Sequence, residues 1–85
     1  MAPPKKVLTG RYSRVNKAFL RQRANRLNDP RHVFYEAMFA NDTYEAYEAA
    51  VGNTEVVVRS RKKGPVSGRM EMLYARRVGW IADDQ

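Results

Sequence analysis

The chain predicts a single α+β domain, with three to four helices and a small two- or three-stranded sheet. Three observations carry this. Eighty-five residues suit one domain with a modest core. A 44% apolar content with nine aromatics is too rich for a disordered chain. Helix punctuation also alternates with one β-branched run, which points to both element types.

Residues 1–12 read as a flexible basic arm, and residues 13–85 as the domain. In the arm, Pro3 and Pro4 block helix, Lys5 and Lys6 keep it solvated, and Gly10 punctuates it. Val7-Leu8-Thr9 fits a short edge strand or a tether. Residues 13–28 are expected to be helical with Ser13 as N-cap. Arg14, Lys17, Arg21, Asn25 and Asn28 then form a basic stripe, with Val15, Phe19, Leu20 and Leu27 broadly opposite.

Asp29-Pro30 signals a helix start, because Asp caps free N–H groups and Pro at the first position loses no hydrogen bond. This helix is expected to reach Ala40. Val33, Phe34, Ala37 and Met38 form one apolar face, and Tyr35 and Phe39 form a second. Asn41-Asp42 breaks it, and Asp42 with Glu45 suggests a capping box for the next helix. There Tyr44, Tyr47 and Val51 share a face, Glu45 and Glu48 project outward, and Gly52 suits a left-handed stop.

Residues 54–60 read as a strand and 60–68 as an exposed basic loop. Residues 68–78 allow two readings. As a helix capped by Ser67, they place Met70, Leu73, Tyr74 and Val78 on one face and Arg69, Met72 and Arg76 on the other. As a strand, they make a hairpin with 54–60. Gly79 as a stop, with Trp80 folding back, favours the helix. The strand over 54–60 would then pair with Trp80-Ile81-Ala82 or Val7-Leu8-Thr9.

Charge falls in blocks. Residues 1–32 hold nine Lys/Arg and one Asp; residues 33–58 hold five Asp/Glu and no Lys/Arg. Residues 59–79 hold seven Lys/Arg and one Glu, and the last six residues hold two Asp, for a net +7. Two basic blocks around an acidic middle imply a polyanion or an acidic protein as partner.

Enzymatic chemistry is not expected. His32 is the sole histidine, there is no cysteine, and no Gly-rich phosphate loop or metal-ligand spacing occurs. No cofactor or metal is implied. The N-terminus lacks the apolar run of a secretory signal, and no run is long enough to span a bilayer, so the expected location is cytoplasmic.

The leading expectation is a non-catalytic protein that binds nucleic acid, DNA or RNA, through phosphate contacts. Lys5, Lys6, Arg14, Lys17, Arg21, Arg59, Arg61, Lys62, Lys63, Arg69 and Arg76 are its candidate contacts, and Tyr12, Tyr74 and Trp80 are candidates for stacking on bases. A helix-turn-helix over 30–51 is disfavoured, since its second helix presents Glu45 and Glu48 and no Lys or Arg. The alternative is a protein-interaction module using Tyr35, Phe39, Tyr44, Tyr47, Glu45 and Glu48, such as an inhibitor, a virion-assembly component or an adaptor. Complementary charge blocks also allow a homo-oligomer. The stretch Met72–Ile81 resembles small bacterial or bacteriophage proteins, which implies no residue roles.

Overall fold

Two short antiparallel ladders tie the helices together. The computed structural model describes residues 9–59 and 64–84. Along them run β1 (Tyr12–Arg14), α1 (Lys17–Ala24), α2 (His32–Ala40), α3 (Tyr44–Tyr47), β2 (Glu55–Val56), β3 (Val66–Ser67), α4 (Gly68–Val78) and β4 (Ile81–Asp83). α3 continues into a π-helical turn, Glu48–Gly52. The expected α+β class holds, with four helices and two two-stranded sheets among the described residues.

The first sheet pairs β1 with β4, Tyr12 opposite Asp83 and Arg14 opposite Ile81. The second is the hairpin β2–β3, Glu55 opposite Ser67 and Val56 opposite Val66. Both pairings correct the expected one. Among the described residues the run over 54–60 forms a ladder only at Glu55–Val56, and its partner there is Val66–Ser67; Val7 and Leu8 of the other expected partner lie outside the described residues. Ile81–Asp83 goes instead to residues 12–14, where the sequence pattern predicts the end of the arm and the start of a helix.

Residues 10–12, read from the sequence as part of the arm, are tied into the domain, while residues 1–8 lie outside the described residues. Tyr12 is buried, Arg11 bridges to Thr43, and the Gly10 N–H donates to Glu45 Oε1 at 2.6 Å. Ser13 lies in a strand, so it is not a helix cap. Asn16 holds that role, accepting from the Phe19 N–H at 3.2 Å.

α2 starts two residues after Pro30. Asp29 does receive the Arg31 backbone N–H at 3.0 Å, as a capping residue would, and it also binds the Arg31 guanidinium at 2.9 Å. That hydrogen-bonded guanidinium holds the Asp29 carboxyl below its ordinary range. The α3 cap is Thr43 rather than Asp42, accepting from the Ala46 N–H at 3.1 Å. Gly52 is buried inside the π turn and is not left-handed.

α4 is a helix, and its ends match the sequence reading. Ser67 Oγ accepts the Met70 N–H at 3.2 Å. Gly79 takes φ of 87°, and the Trp80 N–H returns to the Ala75 carbonyl at 2.9 Å, closing a Schellman motif. Its buried face is the reverse of the expected one. Gly68, Glu71, Met72 and Ala75 point inward, while Met70, Leu73, Tyr74 and Val78 are exposed. Small residues explain the inversion. A Cβ on Gly68 would lie 2.0 Å from the Val51 carbonyl oxygen, so only glycine lets α4 approach the π turn this closely.

The main core joins Leu20 and Ala24 of α1 to Tyr35 and Met38 of α2, Tyr44 and Tyr47 of α3, Met72 and Ala75 of α4, and Ile81 of β4. Phe34, Val58 and Val66 form a smaller cluster beside the hairpin. Val51 packs against both. Removing a fully buried side chain such as Leu20 is expected to destabilise by about 2–5 kcal/mol. No helix among the described residues is long and apolar enough to cross a membrane.

Candidate nucleic-acid interface

The eleven candidate phosphate contacts divide into three groups. Lys5, Lys6, Arg61, Lys62 and Lys63 lie outside the described residues. Arg14, Arg69 and Arg76 are engaged within the fold. Lys17, Arg21 and Arg59 are exposed and make no ion pair with a described residue.

Arg14 is not on α1. From β1 it reaches the C-terminal end of α2, where the last helical carbonyls lack intrahelical donors. Its Nε donates to the Met38 carbonyl at 2.9 Å. Its Nη2 donates to Phe39 and Asn41 carbonyls at 3.0 Å each and meets Asp42 at 3.3 Å. A planar fork matches this set of acceptors, where an ammonium would not. Arg76 clasps Asp83 through two 3.0 Å hydrogen bonds, and Arg69 pairs with Glu48. Each carboxylate pushes its arginine further up in pKa.

α1 and the segments that flank it carry exposed basic residues. Residues 9–28 contain six Lys/Arg and no Asp/Glu. Arg14 is taken up by α2, and Arg23 is enclosed by aromatic rings. Arg11, Lys17, Arg21 and Arg26 remain exposed. Lys17 and Arg21 are four apart and share a helix flank. The Arg21 guanidinium lies over the Phe39 ring, 4.2 Å from its centroid, within cation–π range.

The opposite flank of α1 is aromatic. Phe19 packs on Trp80 with centroids 4.6 Å apart, and Tyr74 meets Trp80 edge-on at 5.5 Å. Buried Tyr35 lies 6.2 Å from Trp80. The Arg23 guanidinium sits 5.4, 5.3 and 5.1 Å from the rings of Phe19, Tyr35 and Trp80. Its Nε finds no hydrogen-bond acceptor among the described residues, while the three π faces and the Tyr35 hydroxyl lie beside the guanidinium. Arg77 lies 5.4 Å from the Tyr74 ring. Charge blocks alone do not single out Phe19, Arg23 and Arg26. The signal that could have found Phe19 and Arg23 is their i, i+4 spacing, which gains meaning once Trp80 folds back over it.

The acidic aromatic middle is placed differently from its interface reading. Tyr35, Tyr44 and Tyr47 are buried. Their hydroxyls donate to Glu71, to Asp83 at 2.6 Å and to the Gly68 carbonyl at 2.7 Å. Phe39 is half-buried beneath Arg14 and Arg21. Glu45 binds the Gly10 N–H and Glu48 binds Arg69, so both carboxylates already hold partners. Tyr12, a stacking candidate, is also buried. Its hydroxyl lies 2.9 Å from the Met38 carbonyl and 2.5 Å from that of Asn41. Tyr74 and Trp80 are brought together and keep exposed surface.

His32 directs Nδ1 at the Asp29 carbonyl, 2.8 Å away, within the turn that opens α2. No group of three or more His, Cys, Asp or Glu among the described residues is arranged to hold a metal ion. No protein-family model, curated protein or solved structure matches the chain.

Proposed function

We propose that the protein is a non-catalytic binder of nucleic acid that holds its ligand through phosphate contacts on α1 and the segments that flank it. The observation that carries this reading is the carboxylate-free stretch of residues 9–28, whose exposed Arg11, Lys17, Arg21 and Arg26 have no ion-pair partner among the described residues. A surface cation that makes no ion pair is available to displace counterions from a phosphate chain, which is the main source of sequence-independent affinity. Arg59, exposed between β2 and β3, is a further cation, and Lys5, Lys6, Arg61, Lys62 and Lys63 of the sequence lie outside the described residues. Arg14, Arg69 and Arg76 act within the fold and do not belong to the proposed contact set.

Fluorescence anisotropy with labelled oligonucleotides over a salt series tests the reading. Contact with about four phosphates gives a log–log salt slope of roughly −3 to −4. Replacing Lys17 and Arg21 with Ala is expected to weaken binding and to flatten the slope by about one for each phosphate no longer neutralised. Absence of binding to duplex and single strand at low salt, or a salt-independent affinity, overturns it.

A further inference from the structure

We infer that the preferred ligand is single-stranded nucleic acid, whose bases stack on the row formed by Phe19, Trp80 and Tyr74. This inference rests on the phosphate-binding reading and adds to it the form of the ligand.

The row has the makings of a stacking platform. Trp80 is its hub, with Phe19 4.6 Å away on one side and Tyr74 5.5 Å away on the other. Trp80 and Phe19 are half-buried, and Tyr74 is 40% exposed. The rings are held from within: Tyr35 lies under Trp80, and Arg23 sits among Phe19, Tyr35 and Trp80. The Trp80 carbonyl is fixed by the Val15 N–H at 2.9 Å. Such a platform is rigid before any ligand arrives, which lowers the ordering cost of binding.

The charge around the row selects a polyanion over an apolar protein surface. Its rings come from residues 15–28 and 72–82, which contain no Asp or Glu; of the carboxylates just beyond, Asp29 is held by Arg31 and Asp83 by Tyr44 and Arg76. The one carboxylate of α4, Glu71, points inward to Tyr35. Arg77 stands over Tyr74, where it can meet the phosphate beside a stacked base. Lys17 and Arg21 lie on the other flank of α1, so a strand that stacks on the row reaches them by crossing a single helix, about 10 Å wide. A duplex hides its base faces and can use only the cations. A single strand can use both.

Trp80 is the sole tryptophan, so its fluorescence reports on the platform directly. Titration with oligo-dT and oligo-U is expected to quench it saturably, and a duplex of equal charge is expected to bind more weakly with little quenching. Tyr74→Ala is expected to lower single-strand affinity about tenfold and leave duplex affinity unchanged, as removal of one stacking partner would. Tyr74→Phe is expected to restore it. Circular dichroism confirms that each variant is folded.

Equal affinity for single strand and duplex, with Tyr74→Ala inert and the Lys17/Arg21 variant weakened, overturns the stacking inference and leaves phosphate binding standing. No binding of either ligand removes both. A self-associated protein in sedimentation equilibrium, with Trp80 fluorescence indifferent to oligonucleotide, assigns the row to a second copy and also overturns the inference.

Discussion

The Tyr35 hydroxyl on α2 donates to the Glu71 carboxylate on α4, and both groups are buried. The contact joins two helices at the centre of the fold, and Arg31 feels the Glu71 charge as well. We expect Glu71→Ala to destabilise the protein by about 1–3 kcal/mol, because it strands a buried hydroxyl. Glu71→Gln keeps an acceptor and is expected to lose less. Urea unfolding followed by Trp80 fluorescence compares the two. Equal losses would show that the hydrogen bond is not the cause.

Alkali is predicted to unfold the domain through its tyrosines. Burial pushes the Tyr12 hydroxyl up to about 12. It also raises Tyr35, Tyr44 and Tyr47, helped in Tyr35 by the hydrogen bond to Glu71 and in Tyr44 by that to Asp83. An unfolded tyrosine ionises near 10. Above that pH the unfolded chain binds fewer protons than the folded one, so stability falls as pH rises. It is expected to be fully present below about pH 10 and to drain away through about 12 and beyond. Urea midpoints, with tyrosinate absorbance recorded alongside, test this. A midpoint that stays constant across that window would contradict it.

Gly68 should resist the substitution that usually strengthens a helix. Alanine ordinarily gains up to about 1 kcal/mol over glycine inside a helix. At Gly68 its Cβ would meet the Val51 carbonyl oxygen at 2.0 Å, so α4 must shift. We expect Gly68→Ala to destabilise by about 2–3 kcal/mol. Gly79→Ala meets open space but strains a left-handed backbone, and is expected to lose about 1–2 kcal/mol. Thermal denaturation ranks the pair, and a stabilised Gly68→Ala would argue against the close approach.

Arg14 and Lys17 are three residues apart, and we expect opposite consequences from replacing them. Arg14→Ala removes the donors on the α2 carbonyls and is expected to destabilise by about 2 kcal/mol. Its effect on oligonucleotide affinity should be small while the protein remains folded. Lys17→Ala should weaken binding and leave the urea midpoint nearly unchanged. Parallel losses of stability and affinity in both variants would erase the distinction.

Local signals are legible wherever a local interaction decides the outcome. Ser67 and Gly79 mark both ends of α4, and Asn41 ends α2 where expected. The misread elements are those fixed by distant partners. Ser13 and Arg14 open the basic amphipathic pattern that fits a helix, and pairing with Ile81–Asp83 makes residues 12–14 a strand instead. α4 shows its apolar side chains outward because Gly68 and Ala75 permit close packing and Tyr35 satisfies Glu71. A periodicity argument counts Glu71 as surface and reverses the helix. The tyrosines of the acidic middle suffer the same error in the other direction: their polar tips suggest an interface, and each tip has an internal acceptor. For the candidate site, the cations of α1 are readable as a charge block, while the row of Phe19, Trp80 and Tyr74 requires the Schellman turn at Gly79 to become visible.

The pairing of β1 with β4 sets the order in which the molecule can assemble. Arg14 faces Ile81, so forming this ladder closes a loop of roughly 70 residues, an entropic toll of about 4 kcal/mol beyond a constant. Local helices and the β2–β3 hairpin face no such barrier and can precede it. Contacts made after the transition state affect the unfolding rate and leave the folding rate alone. Ile81→Val is therefore expected to accelerate unfolding in stopped-flow experiments with little change in refolding. Trp80, next to Ile81, would be the last chromophore to reach its native emission.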